Sequence, residues 1–308
     1  MGDNMVLELL LELGYNDGDI KTIIDKNKLN NCKMETLYLK INEISTFLLD
    51  FGYSKKELIK ITRSCPLIYG YSVLNLENKI NYLRGLGLDD KEIIKITKRC
   101  PEIYGYGIDN LDKKINDMVT LGYQREDVIK MIKKVPMLFG VSINNMKDKI
   151  KGLQELGYSR ESIINMTKVT PSLYNYSIDT IKGKFNSLCA LGYTKDEVIK
   201  MTMELSTMYN LNVDSTAEKL AFYKSIGLRD VMIKKSKNLM QSLKLSYARY
   251  RFFQDCDIEV NIDNYKILFD SEKRFYMRNG ISNSELLTMY DYDEEILNVK
   301  SDEKRKQN

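Results

Sequence analysis

Two apolar stripes alternate along the chain, and both have helical spacing. After Tyr53, the residues Leu58, Ile59, Ile61 and Thr62 make the buried side of a first helix. On a second, Leu76, Ile80, Leu83 and Leu86 recur at intervals of 4, 3 and 3. Such spacing keeps side chains on one face of a 3.6-residue turn, and no segment shows the period of two that a strand needs. Pro66 removes a donor and disfavours helix in the residue before it, so it ends the first helix. The stretch Leu67 to Ser72 is too short for a strand pair and too apolar for an open loop. It reads as a tight 3₁₀ turn that plugs the core with Ile68 and Tyr69. Ser54 and Glu57 have capping-box spacing at the start of the unit, with Asp89, Ser159 and Thr194 at the same cap position later. Gly87 closes the unit.

This unit recurs. Gly52, Gly87, Gly122, Gly157, Gly192 and Gly227 stand 35 residues apart, and so do the chain's four prolines, Pro66, Pro101, Pro136 and Pro171. Lys79, Lys114, Lys149, Lys184 and Lys219 keep the same interval. Tyr69 becomes Tyr104, Phe139, Tyr174 and Tyr209, a pattern that favours core filling over base stacking at this position. A fixed period of this length means a stacked array, because one unit cannot bury both of its stripes alone. The predicted fold class is all-α: an α-solenoid, a superhelix of right-handed type, made of two-helix repeats. Residues 1–52 form an N-terminal helix and an atypical first repeat, and residues 53–227 form five regular repeats. Residues 228–290 form a basic last repeat and a helical cap, in which Ser282 to Glu285 reads as a helix start. Residues 291–308 read as a charged, disordered tail.

Composition narrows the chemistry. The chain has no histidine, which removes the usual general base and the commonest metal ligand. It lacks GxSxG, P-loop, HExxH and dinucleotide fingerprints, so neither catalysis nor a cofactor or metal is expected. Cys65 and Cys100 precede prolines where other repeats have Val135, Thr170 and Leu205; the five cysteines read as reduced core residues. No apolar run is long enough to span a membrane, and residues 1–13 lack the marks of a signal peptide or presequence. A cytoplasmic monomer is the expectation.

Net charge is only +4, so any functional charge lies in its distribution. Arg63, Lys98, Lys133 and Lys168 stand three residues before the prolines; Lys60, Lys95 and Lys130 stand three before those, followed by Asn165 and Lys200. Residues three apart on a helix are neighbours, so the first helices present paired cations at one place in successive repeats. Arg99 and Lys134 add to the middle of the array, and Arg249 and Arg251 add to its basic C-terminal end. A regular row of cations suits the regular anions of a nucleic-acid backbone. Each lysine taken singly also reads as a solvated helix face, and a row of this kind on a concave surface also suits a protein partner.

The segment from Leu156, LGYSRESIINMTKVTPSLYNYSIDTIKGKFNSLCALG, resembles the repeat of the mitochondrial transcription termination factor (mTERF) family. So does the closing stretch Ser242 to Tyr250, and the resemblance covers about residues 45 to 253. It implies an all-α superhelix, each repeat being two antiparallel helices and a 3₁₀ turn. It also implies binding to double-stranded DNA, or to RNA, along a positively charged path, and a role in transcription termination or organellar gene expression. The expected contacts are Lys60, Arg63, Lys95, Lys98, Arg99, Lys130, Lys133, Lys134, Lys168, Lys200, Arg249 and Arg251.

Overall fold

The structure, a computed structural model, describes residues 2–29 and 32–292. Helices α1 (Gly2–Leu13), α2 (Asp17–Leu29) and α3 (Met34–Phe51) come first. Then follow α4 (Lys55–Ser64) with α5 (Val73–Gly85), α6 (Asp90–Thr97) with α7 (Ile108–Thr120), and α8 (Arg125–Lys134) with α9 (Ile143–Glu155). The next pairs are α10 (Arg160–Val169) with α11 (Ile178–Ala190), α12 (Lys195–Glu204) with α13 (Val213–Ser225), and α14 (Arg229–Lys234) with α15 (Leu243–Asp255). A five-residue 3₁₀ turn joins the members of each pair, Pro66–Gly70 in the first and Ser236–Met240 in the last. Another, Tyr265–Phe269, precedes α16 (Glu272–Asn279) and α17 (Asn283–Met289). The described residues contain no strand, so the fold is the all-α repeat class read from the sequence. The segment expected to be disordered lies, from residue 293 on, outside the described residues.

Contacts divide the chain into two compact units. One is Met1–Ile150 with Thr167–Asn175; the other is Lys151–Met166 with Tyr176–Asn308. Within each, the same local devices build the repeat. Ser54, Asp89 and Thr194 close capping boxes with Glu57, Glu92 and Glu197, and Ser282 does so with Glu285 at α17. The glycine at each join has positive φ, from 75° to 114° over Gly52 to Gly227. At Gly52 a Cβ would also lie 3.5 Å from Ile94 Cδ1 of the next repeat, and at Gly157 it would lie 3.1 Å from Ile199 Cδ1. Glycine therefore serves the left-handed turn at every join, and at Gly157 also the close approach of the neighbouring repeat.

The turn tyrosines are core residues, and they are wired. Tyr53 shares hydrogen bonds with Thr97 and Tyr104 of the next repeat, at 2.5 and 2.9 Å. Tyr15 with Thr62 and Tyr69, Tyr123 with Thr167 and Tyr174, and Tyr158 with Thr202 and Tyr209 repeat the arrangement. The same register elsewhere holds Leu88, Ile132 and Phe139, all buried, so there the polar triad is replaced as a whole. Burial pushes the Tyr158 phenol up to about 12. The lysine row on the second helices is likewise internal. Lys79, Lys114 and Lys149 are buried, and burial lowers the pKa of each. Lys149 donates to the carbonyl of Tyr174, Lys184 to those of Tyr209 and Leu211, and Lys219 to that of Leu239. The ammoniums of Lys149, Lys184 and Lys219 thus satisfy carbonyls in or just after the following 3₁₀ turn, otherwise costly buried acceptors.

Candidate nucleic-acid interface

The first helix of each repeat carries the predicted cations, and the structure separates them into two kinds. Those three residues before the proline reach back to the preceding repeat. Arg63 pairs with Asp19 at 2.6 Å, Lys133 with Glu92 at 2.8 Å and Lys168 with Asp127 at 3.3 Å. Lys98 pairs with Glu57 in the same way. The acids in the second, third and fourth pairs sit three residues past the helix cap. Glu57 and Glu92 are therefore fixed from both sides, by their own cap backbone and by the next repeat's cation. The hydrogen bond from Lys98, aided by the cap, holds the Glu57 carboxyl down to about 2. Lys133 also donates to the carbonyl of the join glycine Gly87. Glu197 uses a different cation, Arg229, which pairs at 2.8 Å, donates to the Gly192 carbonyl and lies over the Tyr193 ring. Arg229 holds Glu197 down to about 2 as well.

One join lacks this pair. Ser162 stands where the acid belongs and Met203 where the cation belongs, so both halves are missing together.

The cations six residues before the proline behave otherwise. Lys60, Lys95, Lys130 and Lys200 are exposed and form no ion pair among the described residues, and Arg99 is also exposed and unpaired. Helix geometry sets Lys60, Lys95 and Lys130 one turn from the paired cation of the same repeat, whereas Lys200 has Met203 there. Lys134 is committed elsewhere, donating to the carbonyl of Val169 at the end of α10.

Two C-terminal assignments change. Arg249 is 1% exposed. Its guanidinium donates to the carbonyls of Leu268 and Asp270 and to Asn283 Oδ1, and it lies 4.3 Å from the Phe275 ring centre. It is a buried clamp for α16 and α17, out of reach of a phosphate, and this corrects the sequence expectation. Arg251 is half-buried and engaged within the protein. Exposed C-terminal cations include Lys273, Arg274 and Arg278 on α16, the two arginines held by Asp270 at 3.6 and 2.8 Å. Sequence reasoning passed over them because α16 lies outside the repeat and has no register to compare.

Five of the twelve predicted contacts, Lys60, Lys95, Arg99, Lys130 and Lys200, are thus free to meet an anion. An exposed lysine with no internal partner contributes a point charge and flexible donors, which suits a backbone phosphate more than a base edge. No curated protein matches the chain. The family model mTERF matches residues 3–275, which takes in the repeat array and ends within α16 of the cap. On that match, together with the recurring helix, 3₁₀ turn and helix, the chain belongs to the mTERF family.

Proposed function

We propose that this protein is a non-catalytic nucleic-acid-binding repeat protein that grips double-stranded DNA through its backbone phosphates and acts in the termination or regulation of transcription. The observation that carries the reading is the sorting of the cations. In each repeat that has both, one cation is spent on the neighbouring repeat and the other, at Lys60, Lys95 or Lys130, is left exposed at a fixed register. A row of free charges with a common period is what a polyanion of regular spacing requires. Membership of the mTERF family supports the nucleic-acid class. Duplex DNA is preferred because lysines set on rigid helix faces follow a fixed backbone more readily than a flexible strand. RNA is the alternative.

The test compares a labelled duplex, single-stranded DNA and RNA at low salt. The triple variant Lys60→Gln/Lys95→Gln/Lys130→Gln is expected to lose at least about tenfold in duplex affinity while melting as the parent does. Failure of the unaltered protein to bind any of the three polymers would overturn the proposal. Tighter binding of RNA than of duplex would replace DNA by RNA.

A further inference from the structure

The join that lacks the recurring acid–cation pair, with Ser162 and Met203 in its place, is followed by a repeat of altered length. The sixth repeat is short: its 3₁₀ turn starts at Ser236, 30 residues after Ser206, where earlier repeats keep 35. Its first helix, α14, has 6 residues, whereas α4, α8, α10 and α12 each have 10. Alongside α12 lies a shallow groove of about 490 Å³. Gly157, Ile199 and Met203 give it an apolar floor, and Lys200 and Lys234 stand at its edges. Its acids are Asp196 and Glu204, the second of which pairs with Lys237 at 3.7 Å.

One feature sets this groove apart, and two others it shares with the regular joins. Met203 is 47% exposed at a position where Arg63, Lys98, Lys133 and Lys168 fold back onto an acid. Gly157, whose counterparts stand at the other joins, lets Ile199 close onto the backbone, its Cδ1 3.1 Å from where a Cβ would lie. Lys200 belongs to the register of free lysines, so the groove opens on the same helix position as the proposed phosphate contacts. The two acids disfavour a phosphate on the floor, while the two lysines favour phosphates at the rim. A neutral, polarizable surface flanked by cations matches a nucleobase with its neighbouring phosphates.

We infer that this groove seats one base of the bound nucleic acid, with Met203 as the residue that contacts it and Lys200 and Lys234 on the flanking phosphates. The inference rests on the nucleic-acid reading above. It makes this join the point of sequence discrimination, whereas the regular joins contribute affinity alone.

The variant that tests it rebuilds the missing pair. Ser162→Glu/Met203→Lys places an acid and a cation where the other joins have them and closes the apolar floor. Binding is measured to a sequence selected by the unaltered protein from a randomised pool, and to a scrambled duplex. The double variant is expected to melt at or above the parent temperature, to bind the scrambled duplex at least as well, and to lose tenfold or more in preference for the selected one. A second arm, Lys200→Gln/Lys234→Gln, should weaken both duplexes by a similar factor and leave their ratio unchanged. An unchanged preference in the rebuilt variant, or an unaltered protein that binds duplex with no sequence preference, overturns the inference while leaving the phosphate-binding proposal standing. Absence of all nucleic-acid binding overturns the proposal itself.

Discussion

Tyr53, Thr97 and Tyr104 form a chain of hydroxyls between two repeats, with Thr97 donating its hydrogen bond to the carbonyl of Ile93. Removing the middle hydroxyl leaves the Tyr104 proton buried without an acceptor. Tyr53→Phe should therefore cost about 1–3 kcal/mol in denaturant unfolding. The apolar set at Leu88, Ile132 and Phe139 shows that the site accepts replacement as a whole. The triple variant Tyr53→Leu/Thr97→Ile/Tyr104→Phe should accordingly lose less than the single one, and a larger loss would refute the accounting. Tyr193 supplies the control. Its hydroxyl is buried with no hydrogen-bond partner among the described residues, so Tyr193→Phe should be neutral or stabilising. The sequence identified these tyrosines as core, because Phe139 shares their position. It did not expose the hydroxyl pairing, whose partners lie 44 and 51 residues away. Arg249 was misread for a related reason: a lone arginine outside the period has no repeat equivalents to show which way it faces. Arg249→Gln should unfold the C-terminal cap more readily, by on the order of 3 kcal/mol for its orphaned acceptors, and leave duplex affinity unchanged.

Between helices, the recurring contact is the cap acid of one repeat with the cation of the next. Glu57 and Glu197 are each held down to about 2, against an ordinary value of 4.5. A carboxyl with a lower pKa in the folded state binds fewer protons there than in the unfolded chain. Its stabilisation is therefore complete above about 4.5 and is lost as the pH falls towards 2. The melting temperature should hold nearly level from neutral pH to about 5 and drop through that window. The double variant Glu57→Gln/Glu197→Gln should melt below the parent at neutral pH and lose less on acidification. Equal acid losses in the two proteins would show that these pairs do not set the dependence. This contact was legible in principle. The acid of one repeat and the cation of the next lie 41 residues apart in three successive pairs, and Ser162 with Met203 drops both at once. Comparison of repeats works as an internal alignment, but only when columns are compared across the join. Single helices, taken alone, show a cation stripe and hide which cations are already paired.

At the scale of the whole molecule, the number of free cations becomes a measurable slope. Each phosphate neutralised on a duplex releases condensed counterions, so the logarithm of affinity falls with that of salt by about 0.9 per contact. All twelve cations expected from sequence would give a slope of about −11, whereas the five of them left exposed and unpaired give about −4.5, or about −5.4 with Lys234 added. A titration from low to physiological salt separates these values. Its variants locate the contacts. Lys60→Gln, Lys95→Gln and Lys130→Gln should each reduce the slope by about one unit and leave the melting temperature in place. Lys98→Gln and Lys133→Gln should lower the melting temperature by unpairing Glu57 and Glu92, and leave the slope nearly unchanged. A slope near −11, or equal slope losses at the paired and unpaired positions, would mean that the ion pairs between repeats open on binding. The bound protein would then hold its repeats together less tightly than the free one, since the cations that bind phosphate would be the same ones that join neighbours.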